Sequence, residues 1–541
     1  MTSLRKQETL VRTFAALLEQ QGPQGMRSHI FQTHLSWVIV AGQHAYKFKK
    51  AVRFDFVDFS TVAARRFYCE EELRLNRRLA PWLYLEVLAL TGTVAHPVVG
   101  GSGPVLDHAV RMQAFAQQCL WSERADSSAL TAPEIDALAD QLASFHQTVP
   151  VAAPDCGWGK AAGVSKVAGE NLAALAGLAG ITPGDQSISR IVAWQAGQHR
   201  RMAALFEQRL ADGFVRECHG DLHAANVITV DARVTAFDCI EFSEPLRWID
   251  VISDIAFIVM DLTCHGVTAL AARLLDRYLL LTGDYGGLQV LRYYQIQRAL
   301  VRARVALLRR RQHSETLHNG AIAAAASAPC PEAARYLDYV AHRLAPERSA
   351  IILMHGYSGS GKSVFAQHLL EMIGAIRLRS DVERKRLHGI EPVARRSAPI
   401  GQGLYTEANS HATHQRLLQL TQQIVATGTP VIIDAAFLQK ARRDLFCALA
   451  ETLHVPFFII DLRASEATLR ARIVARQATE RDASDASVEV LQHQYAQHDP
   501  IDADEARRLI AVDAEAPFDD ASVRRHCAPL LAALQSDRGP A

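Results

Sequence analysis

The sequence predicts two domains of mixed α and β structure, the second built on a parallel sheet. Three observations carry this. The chain has 541 residues, more than a single hydrophobic core accommodates. Past residue 350, five apolar runs alternate with helical patterns: IILMHG (351–356), AIRLRSD (375–381), PVIIDAAF (430–437), PFFIIDLRA (456–464) and RLIAVDAEA (508–516). Apolar strands separated by helices belong in a parallel sheet covered on both faces. Between 325 and 349, Pro329, Pro331 and Pro346 punctuate the chain around one short helical stretch, EAARYLDYVAHRL. That marks a domain junction, and the expected domains are residues 1–340 and 349–541.

The first domain opens with apolar residues at helical spacing, Leu10, Phe14, Leu17 and Leu18. Three strand-like runs follow: HIFQ (29–32), WVIVAG (37–42) and AYKFKK (45–50). The last two are joined by a tight turn at Gly42-Gln43-His44. RRFYCEEELRLNRRL (65–79) has helical spacing, and from there to about residue 210 the chain reads as mostly helical. A strand pair comes next, ECHGDLHAANVITV turning at Asp231 into VTAFD, and then more helices. The most apolar stretch, VISDIAFIVMDL (251–262), contains Asp254 and Asp261 and is too short to span a bilayer. It reads as a buried helix.

Composition excludes several classes. Hydrophobic residues make up 49% and charged residues 21%, as in ordinary globular proteins. Lys and Arg number 58 against 57 Asp and Glu, a net charge of +1. No global field attracts nucleic acid or an anionic membrane. The nine cysteines contain no C-x-x-C pair, which argues against a zinc ribbon or a disulfide framework. MTSLRKQETLVRTF carries charges where a signal peptide needs an apolar run. The expectation is a cytoplasmic protein with small-molecule partners, no membrane partner, no nucleic acid and an open oligomeric state.

HGDLHAANV (219–227) places His219, Asp221 and Asn226 at the H-x-D-x-x-x-x-N spacing of a kinase catalytic loop, and Asp238 follows in TAFDCIEF. Phosphoryl transfer needs an acceptor hydroxyl relieved of its proton, a task for Asp221. It also needs Mg²⁺, for which Asn226 offers a neutral oxygen and Asp238 an anionic one. His219 and His223 at i,i+4 raise zinc as an alternative, but Gly220 breaks the zincin pattern. Asp221 and Asn226 also suit a plain turn. A lysine to hold nucleotide phosphates is offered by Lys47 or Lys49, which share a strand face. The acid to hold that lysine comes from Glu70, Glu71 or Glu72, and Lys47 with Glu72 is preferred. Lys49 and Lys50 also suit a solvated edge strand.

With this loop, the lysine strand and the E-x-x-x-N-x-x-L helix, residues 1 to about 340 resemble the aminoglycoside-phosphotransferase branch of the protein-kinase-like fold. The resemblance implies Asp221 as base, and Asn226 and Asp238 as metal ligands. That family manages without a strict G-x-G-x-x-G loop. Here the corresponding turn reads QTHLSW, so Thr33, His34 and Ser36 are expected to offer N–H groups or hydroxyls to phosphate.

GYSGSGKS (356–363) satisfies G-x-x-x-x-G-K-[ST] between an apolar strand and a helix. A P-loop there would draw on Gly356, Ser358, Gly359, Ser360, Gly361, Lys362, Ser363 and Val364. Lys362 would reach the β- and γ-phosphates, and the Ser363 hydroxyl would bind Mg²⁺. Asp434 is the expected carboxylate for the magnesium shell, with Asp461 as competitor. Asp381, beside Arg379 and Arg384, is placed to face an acceptor hydroxyl, or else to cap a helix. Arg472 and Arg476 share a helical face, with Arg481 beyond, to neutralise charge as phosphoryl moves. Residues 349–541 resemble small P-loop kinases: gluconate kinases, zeta-toxin-like kinases and the kinase half of polynucleotide kinase. The whole chain resembles bacterial proteins that fuse an aminoglycoside-phosphotransferase-like domain to an ATP-binding kinase domain.

The expected function is a bifunctional phosphotransferase using ATP and Mg²⁺, each domain acting on a hydroxyl. The alternatives are an active C-terminal kinase with a nucleotide-binding or regulatory N-terminal domain, a P-loop switch controlling the first domain, and a nucleic-acid 5′-hydroxyl kinase. The last lacks a broad basic, aromatic-interleaved surface.

Overall fold

The chain up to Gln113 builds a sheet that packs against two helices. In the computed structural model, which describes residues 4–54, 57–179, 186–316, 330–346, 348–391, 406–479 and 488–535, helix Leu4–Gln21 buries Leu10, Val11, Phe14 and Ala15. The Phe14 ring meets Tyr46 and Phe48 edge-on at 5.4 and 5.9 Å. Strands β1 (Ser28–Gln32), β2 (Ser36–Ala41) and β3 (His44–Lys49) run antiparallel, and Ala41 pairs with His44 across the β2–β3 turn. β4 (Arg53–Phe54) and β5 (Val57–Asp58) form a small ribbon. Helix Val62–Asn76 starts at Thr61, whose side chain accepts the Ala64 N–H.

The next stretch departs from the helical expectation. β6 (Tyr84–Gly92), β7 (Pro97–Val99) and β8 (Asp107–Gln113) join the sheet in the order β1-β2-β3-β8-β6-β7. YLEVLALTG is rich in good helix formers, and its pairing with β8 overrides that preference. Because β8 inserts beside β3, β3 becomes an interior strand and its lysines lie within the unit.

Helices Ala132–Thr148, Ala161–Ala179 and Gln186–Ala211 follow. β9 (Val215–Glu217) pairs with β12 (Trp248–Asp250), and β10 (Val227–Val230) with β11 (Arg233–Ala236). The β10–β11 turn has Asp231 and Ala232 at φ 48° and 62°, the pair of positive values that matches strand twist in a two-residue hairpin. Helix Val251–Cys264 is buried from Val251 to Leu262. This first unit comprises Met1–Gly266 with Tyr293–Leu344.

The second unit comprises Val267–Arg292 with Ala345–Ala541. Its sheet is wholly parallel, with β13 (Ile351–His355), β14 (Ile376–Arg379), β15 (Val431–Asp434), β16 (Phe457–Arg463) and β17 (Leu509–Asp513) in the order β14-β15-β13-β16-β17. Ile352, Met354, Phe365, Leu369, Ile432, Leu462 and Val512 lie in its core. Helix Thr268–Thr282 packs on helix Lys362–Ile373 and on the edge strand β14. The Asp276 carboxylate accepts the Arg377 N–H at 2.7 Å and lies 3.4 Å from its guanidinium, and Arg273 donates to Glu371 at 2.8 Å. A segment that boundaries at 340 and 349 leave with the first part thus packs with the second. Among the described residues no helix is long and apolar enough to cross a membrane.

Candidate active sites

In the first unit the site begins with two lysines on one face of β3. Glu72, on helix Val62–Asn76, is fully buried between them: Lys47 Nζ stands 2.7 Å from one carboxylate oxygen and Lys49 Nζ 2.5 Å from the other. Lys49 also pairs with Glu241, and Lys47 with Asp238 Oδ1 at 2.5 Å. Burial alone would push the Glu72 carboxyl up, but the two ammonium groups outweigh it and hold the carboxyl below its ordinary value. Glu241 ends raised, because burial and Glu72 together exceed the pull of Lys49. Lys49 is therefore no solvated edge residue. The sequence offered Lys49 as the alternative to Lys47 but did not single out Glu241, although Glu241 lies three residues past Asp238.

Asp238 sits at φ 65°, an uncommon conformation for a residue with a side chain. Its neighbours hold it there. Its N–H donates to the Tyr84 hydroxyl at 3.2 Å, and the Cys239 N–H donates to Asn76 Oδ1 at 2.9 Å. The asparagine of the E-x-x-x-N-x-x-L helix thus anchors the loop that carries Asp238.

The HGDLHAANV loop hangs from two buried acids on helix Val251–Cys264. Asp254 accepts the N–H groups of His219 and Gly220 at 2.7 and 2.9 Å, and Asp261 accepts that of Ala224 at 2.8 Å. Gly220 has φ 87°, and a Cβ there would lie 2.7 Å from the Leu246 carbonyl oxygen. No other residue fits that turn. Asn226 donates its amide hydrogens to the Asp221 main-chain oxygen (2.9 Å) and to Asp221 Oδ2 (3.1 Å), which turns its amide oxygen to other use. His223 Nε2 lies 3.4 Å from Asp221 Oδ2 and 3.2 Å from Arg302 Nη1. Burial opposes the ionised form of Asp221, but His223, Arg302 and His219 outweigh it and hold the carboxyl well below the ordinary range.

The two histidines of HGDLH diverge, His219 Nε2 to the Phe237 carbonyl at 2.8 Å and His223 toward Asp221 and Arg302. That is not a zinc pair. Thr33 and Ser36 close the β1–β2 turn on each other. The Thr33 N–H donates to the Ser36 carbonyl and the Ser36 N–H to Thr33 Oγ1, both at 2.9 Å. Their main-chain donors are thus taken within the turn, against the N–H part of the phosphate-gripping expectation for Thr33 and Ser36, and His34 stacks on Phe54 at 4.6 Å.

In the second unit the loop between β13 and helix Lys362–Ile373 carries the residues expected to meet phosphate. Gly359 has φ 85°, and a Cβ there would stand 2.6 Å from the Leu469 carbonyl oxygen. The loop therefore presses against the backbone of helix Glu466–Thr479 without room for a side chain. Lys362 Nζ donates to the Gly356 and Tyr357 carbonyls at 2.9 and 2.8 Å. Ser360 is fully buried, its hydroxyl oxygen without a hydrogen-bond partner among the described residues. The Ser358 N–H donates to Gln494 Oε1 at 2.8 Å, and the Val364 N–H to the Gly361 carbonyl at 3.1 Å. Gly361 caps the helix N-terminus. Gln494, which no sequence pattern singled out, ties helix Val488–Ala496 to the loop.

The Ser363 hydroxyl donates to Asp434 Oδ2 at 2.7 Å, and Arg379 Nε lies 3.8 Å from the same oxygen. The competitor Asp461 instead pairs with His355 at 2.7 Å and Arg463 at 2.6 Å. Asp381 lies in the first turn of helix Ser380–Leu387, whose cap is Arg379, so Asp381 is not a capping residue; its Oδ1 accepts from Arg384 at 3.0 Å. Arg472 Nη2 donates to the Glu515 carbonyl at 3.2 Å, and its Nη1 lies 4.0 Å from where a Cβ on Gly361 would be. The side chain of Arg476, and Arg481, fall outside the described residues.

Both sets fit a nucleoside triphosphate with a divalent cation. The first pairs an ammonium with oxygen ligands on Asn226 and Asp238, and the second joins a side-chain-free loop to Ser363 and Asp434.

A family model described as the Phosphotransferase enzyme family matches residues 107–292, and one described as an AAA domain matches 351–501. The uncharacterized protein Rv2004c of Mycobacterium tuberculosis is 30% identical over 453 residues, spanning 84% of this chain and 87% of that protein. A choline/ethanolamine kinase family protein from Mesorhizobium loti superposes with a TM-score of 0.35 at 14% identity, covering 62% of this chain and 98% of its own. A gluconokinase from Sinorhizobium meliloti 1021 does so at 0.25 and 22%, covering 35% and 95%.

Proposed function

The chain belongs to the family of Rv2004c of Mycobacterium tuberculosis and joins a phosphotransferase domain to a P-loop kinase domain; from that premise we propose that it is bifunctional, each unit moving the γ-phosphate of ATP to a hydroxyl of a small molecule. One observation supports the reading: each unit gathers its own lysine, carboxylates and neutral oxygen donors of the kinds that phosphoryl transfer calls for, and the sets share no member. Bound Mg·ATP supplies the phosphoryl group and a cation that offsets its charge. In the first unit Lys47, steadied by Glu72, grips phosphate, while Asn226 and Asp238 hold the cation. Asp221 orients the acceptor hydroxyl. A carboxylate held this acidic is a weak base, so it takes the proton as the oxygen–phosphorus bond forms, not before. In the second unit Lys362 and the loop N–H groups grip phosphate, and Ser363 and Asp434 hold the cation. Asp381 receives the acceptor, and Arg472 stands beside the loop to offset charge. All nine cysteines are unpaired thiols, which suits a reducing cytoplasm.

Incubation of the intact chain with γ-labelled ATP and a metabolite extract should yield two classes of labelled product, one lost in Asp221→Asn and the other in Lys362→Ala. A single product lost in both variants sinks the bifunctional reading.

A further inference from the structure

The second unit carries a cation that phosphate handling does not use. Arg442, on helix Lys440–Leu453, is half-buried and places Nη1 3.4 Å from His414 Nε2 on helix Glu407–Val425. His414 is 8% exposed, and its ring packs edge-on against Phe437, three residues past Asp434. The pair therefore stands at the same end of β15 as the cation-holding carboxylate.

The His414 Nδ1–H donates to the Ser410 carbonyl at 2.7 Å, which leaves Nε2 as an acceptor for Arg442. Burial, with help from Arg442 and Arg384, pushes this imidazole down to about 4, so it is neutral at pH 7. A neutral acceptor orients a guanidinium without cancelling its charge. Among the described residues no carboxylate forms an ion pair with Arg442. Burial first, and then the nearby Arg384 charge, work against its ionised form, while Glu407 only partly offsets them. Arg384 is in turn bound to Asp381, the proposed acceptor residue. Helix Glu407–Val425, which carries His414, packs on both helix Ser380–Leu387 with Arg384 and helix Lys440–Leu453 with Arg442. A half-buried guanidinium with no carboxylate paired to it, in the field of a second one, is costly unless an anion joins it.

We propose that Arg442, with Arg384, binds an anionic group, a carboxylate or a phosphate, on the hydroxyl acceptor of the second unit. This rests on the kinase reading of that unit. Two measurements separate the two ideas.

In the first, the full chain is saturated with Mg²⁺ and a non-hydrolysable ATP analogue so that its nucleotide sites are filled. It is then titrated calorimetrically with inorganic phosphate in one arm and acetate in the other. At least one should bind, and the arm that responds tells phosphate from carboxylate. Arg442→Gln should weaken that binding about 10- to 100-fold, as loss of a charge-assisted hydrogen bond does. Arg442→Lys, which keeps the charge, should retain part of it and guards against a folding defect. No binding of either anion, or equal binding by Arg442→Gln, overturns the proposal.

In the second, the extract is fractionated by anion exchange at pH 7. The product lost in Lys362→Ala should arise from retained material, and Arg442→Gln should raise the KM for that acceptor at least about tenfold, leaving the KM for ATP in place. An acceptor in the unretained fraction overturns the proposal. If no fraction yields a Lys362-dependent product, the kinase reading of the second unit fails, and the titration alone decides the anion site.

Discussion

On the proposed reading, the two units grip phosphate by opposite means. In the first the grip is a largely buried charge network, Lys47, Lys49, Glu72, Asp238 and Glu241, whose paired members lie up to 192 residues apart. In the second it is eight consecutive residues, 356–363, whose main chain does the work and whose side chains are mostly absent or small. A network of desolvated charges holds only while every member is matched. A loop of N–H groups holds while its backbone keeps conformations that side chains forbid. The lesson is that mutation should break the first by unbalancing charge and the second by adding bulk.

The largest effect expected is on chemistry. Asp221→Asn keeps size and hydrogen bonding but removes the proton acceptor, and should cut formation of the first unit's product by about 10²–10⁴-fold with ATP affinity little changed. Single-turnover transfer measures it. Undiminished turnover would leave that unit a nucleotide-binding module.

Next in size is the network itself. Glu72→Ala removes the carboxylate that two buried ammonium groups share, leaving Lys47 with Asp238 and Lys49 with Glu241, and should destabilise the first unit by about 3 kcal/mol, the low end for a broken buried pair. Two-transition calorimetry should show the second unit's melting unmoved. Gly359→Ala is the counterpart, since its Cβ meets a carbonyl. It should abolish nucleotide binding in the second unit only. If both variants hurt both units, the contrast between them is false.

Acid should act on the second unit through His414. Its folded value of about 4 lies below the ordinary 6.5, so the unfolded chain binds more protons between these limits. The stability it contributes is complete above pH 6.5 and is lost as pH falls toward 4, by up to about 3 kcal/mol. Urea unfolding at stepped pH should show a shallower slope in that window for His414→Gln. An unchanged slope would mean the imidazole is not buried neutral.

The smallest effect tests which unit owns residues 267–292. Asp276→Ala removes the acceptor of a buried Arg377 N–H and should cost the second unit about 1–3 kcal/mol. A fragment starting at 349 should likewise melt lower than one supplied with 267–292. Equal melting of the two fragments would return the segment to the first part.

How much was legible depended on distance along the chain. Asp221, Asn226 and Asp238 stood out because a loop and a hairpin hold them in one local stretch, and the structure brings Asn226 to Asp221 and Asp238 to Lys47. The five parallel strands were legible because each is an apolar run wedged between helices. β6 and β8 were not. Leu, Ala and Glu in YLEVLALTG suit either state, and only pairing with each other and with β3 decides for strand. The β1–β2 turn misled for a related reason. Thr33 and Ser36 are good donors in isolation, and the closing of the turn takes those donors first.

By itself the sequence determined the features that neighbours set: the glycine loop before Lys362, the HGDLHAANV turn, the alternation of strand and helix past 350, and the division into two parts. Backbone conformations and short-range spacing are properties of adjacent residues, so they are written in order. Tertiary structure decided the rest: that Lys49 shares Glu72 with Lys47 and draws in Glu241, that helix Thr268–Thr282 covers β14, and that Arg442 leans on a neutral His414. Each of these depends on what burial does to a charge or a polar group. Burial is a property of the whole packed unit, and side chains tens to hundreds of residues apart must meet before it exists.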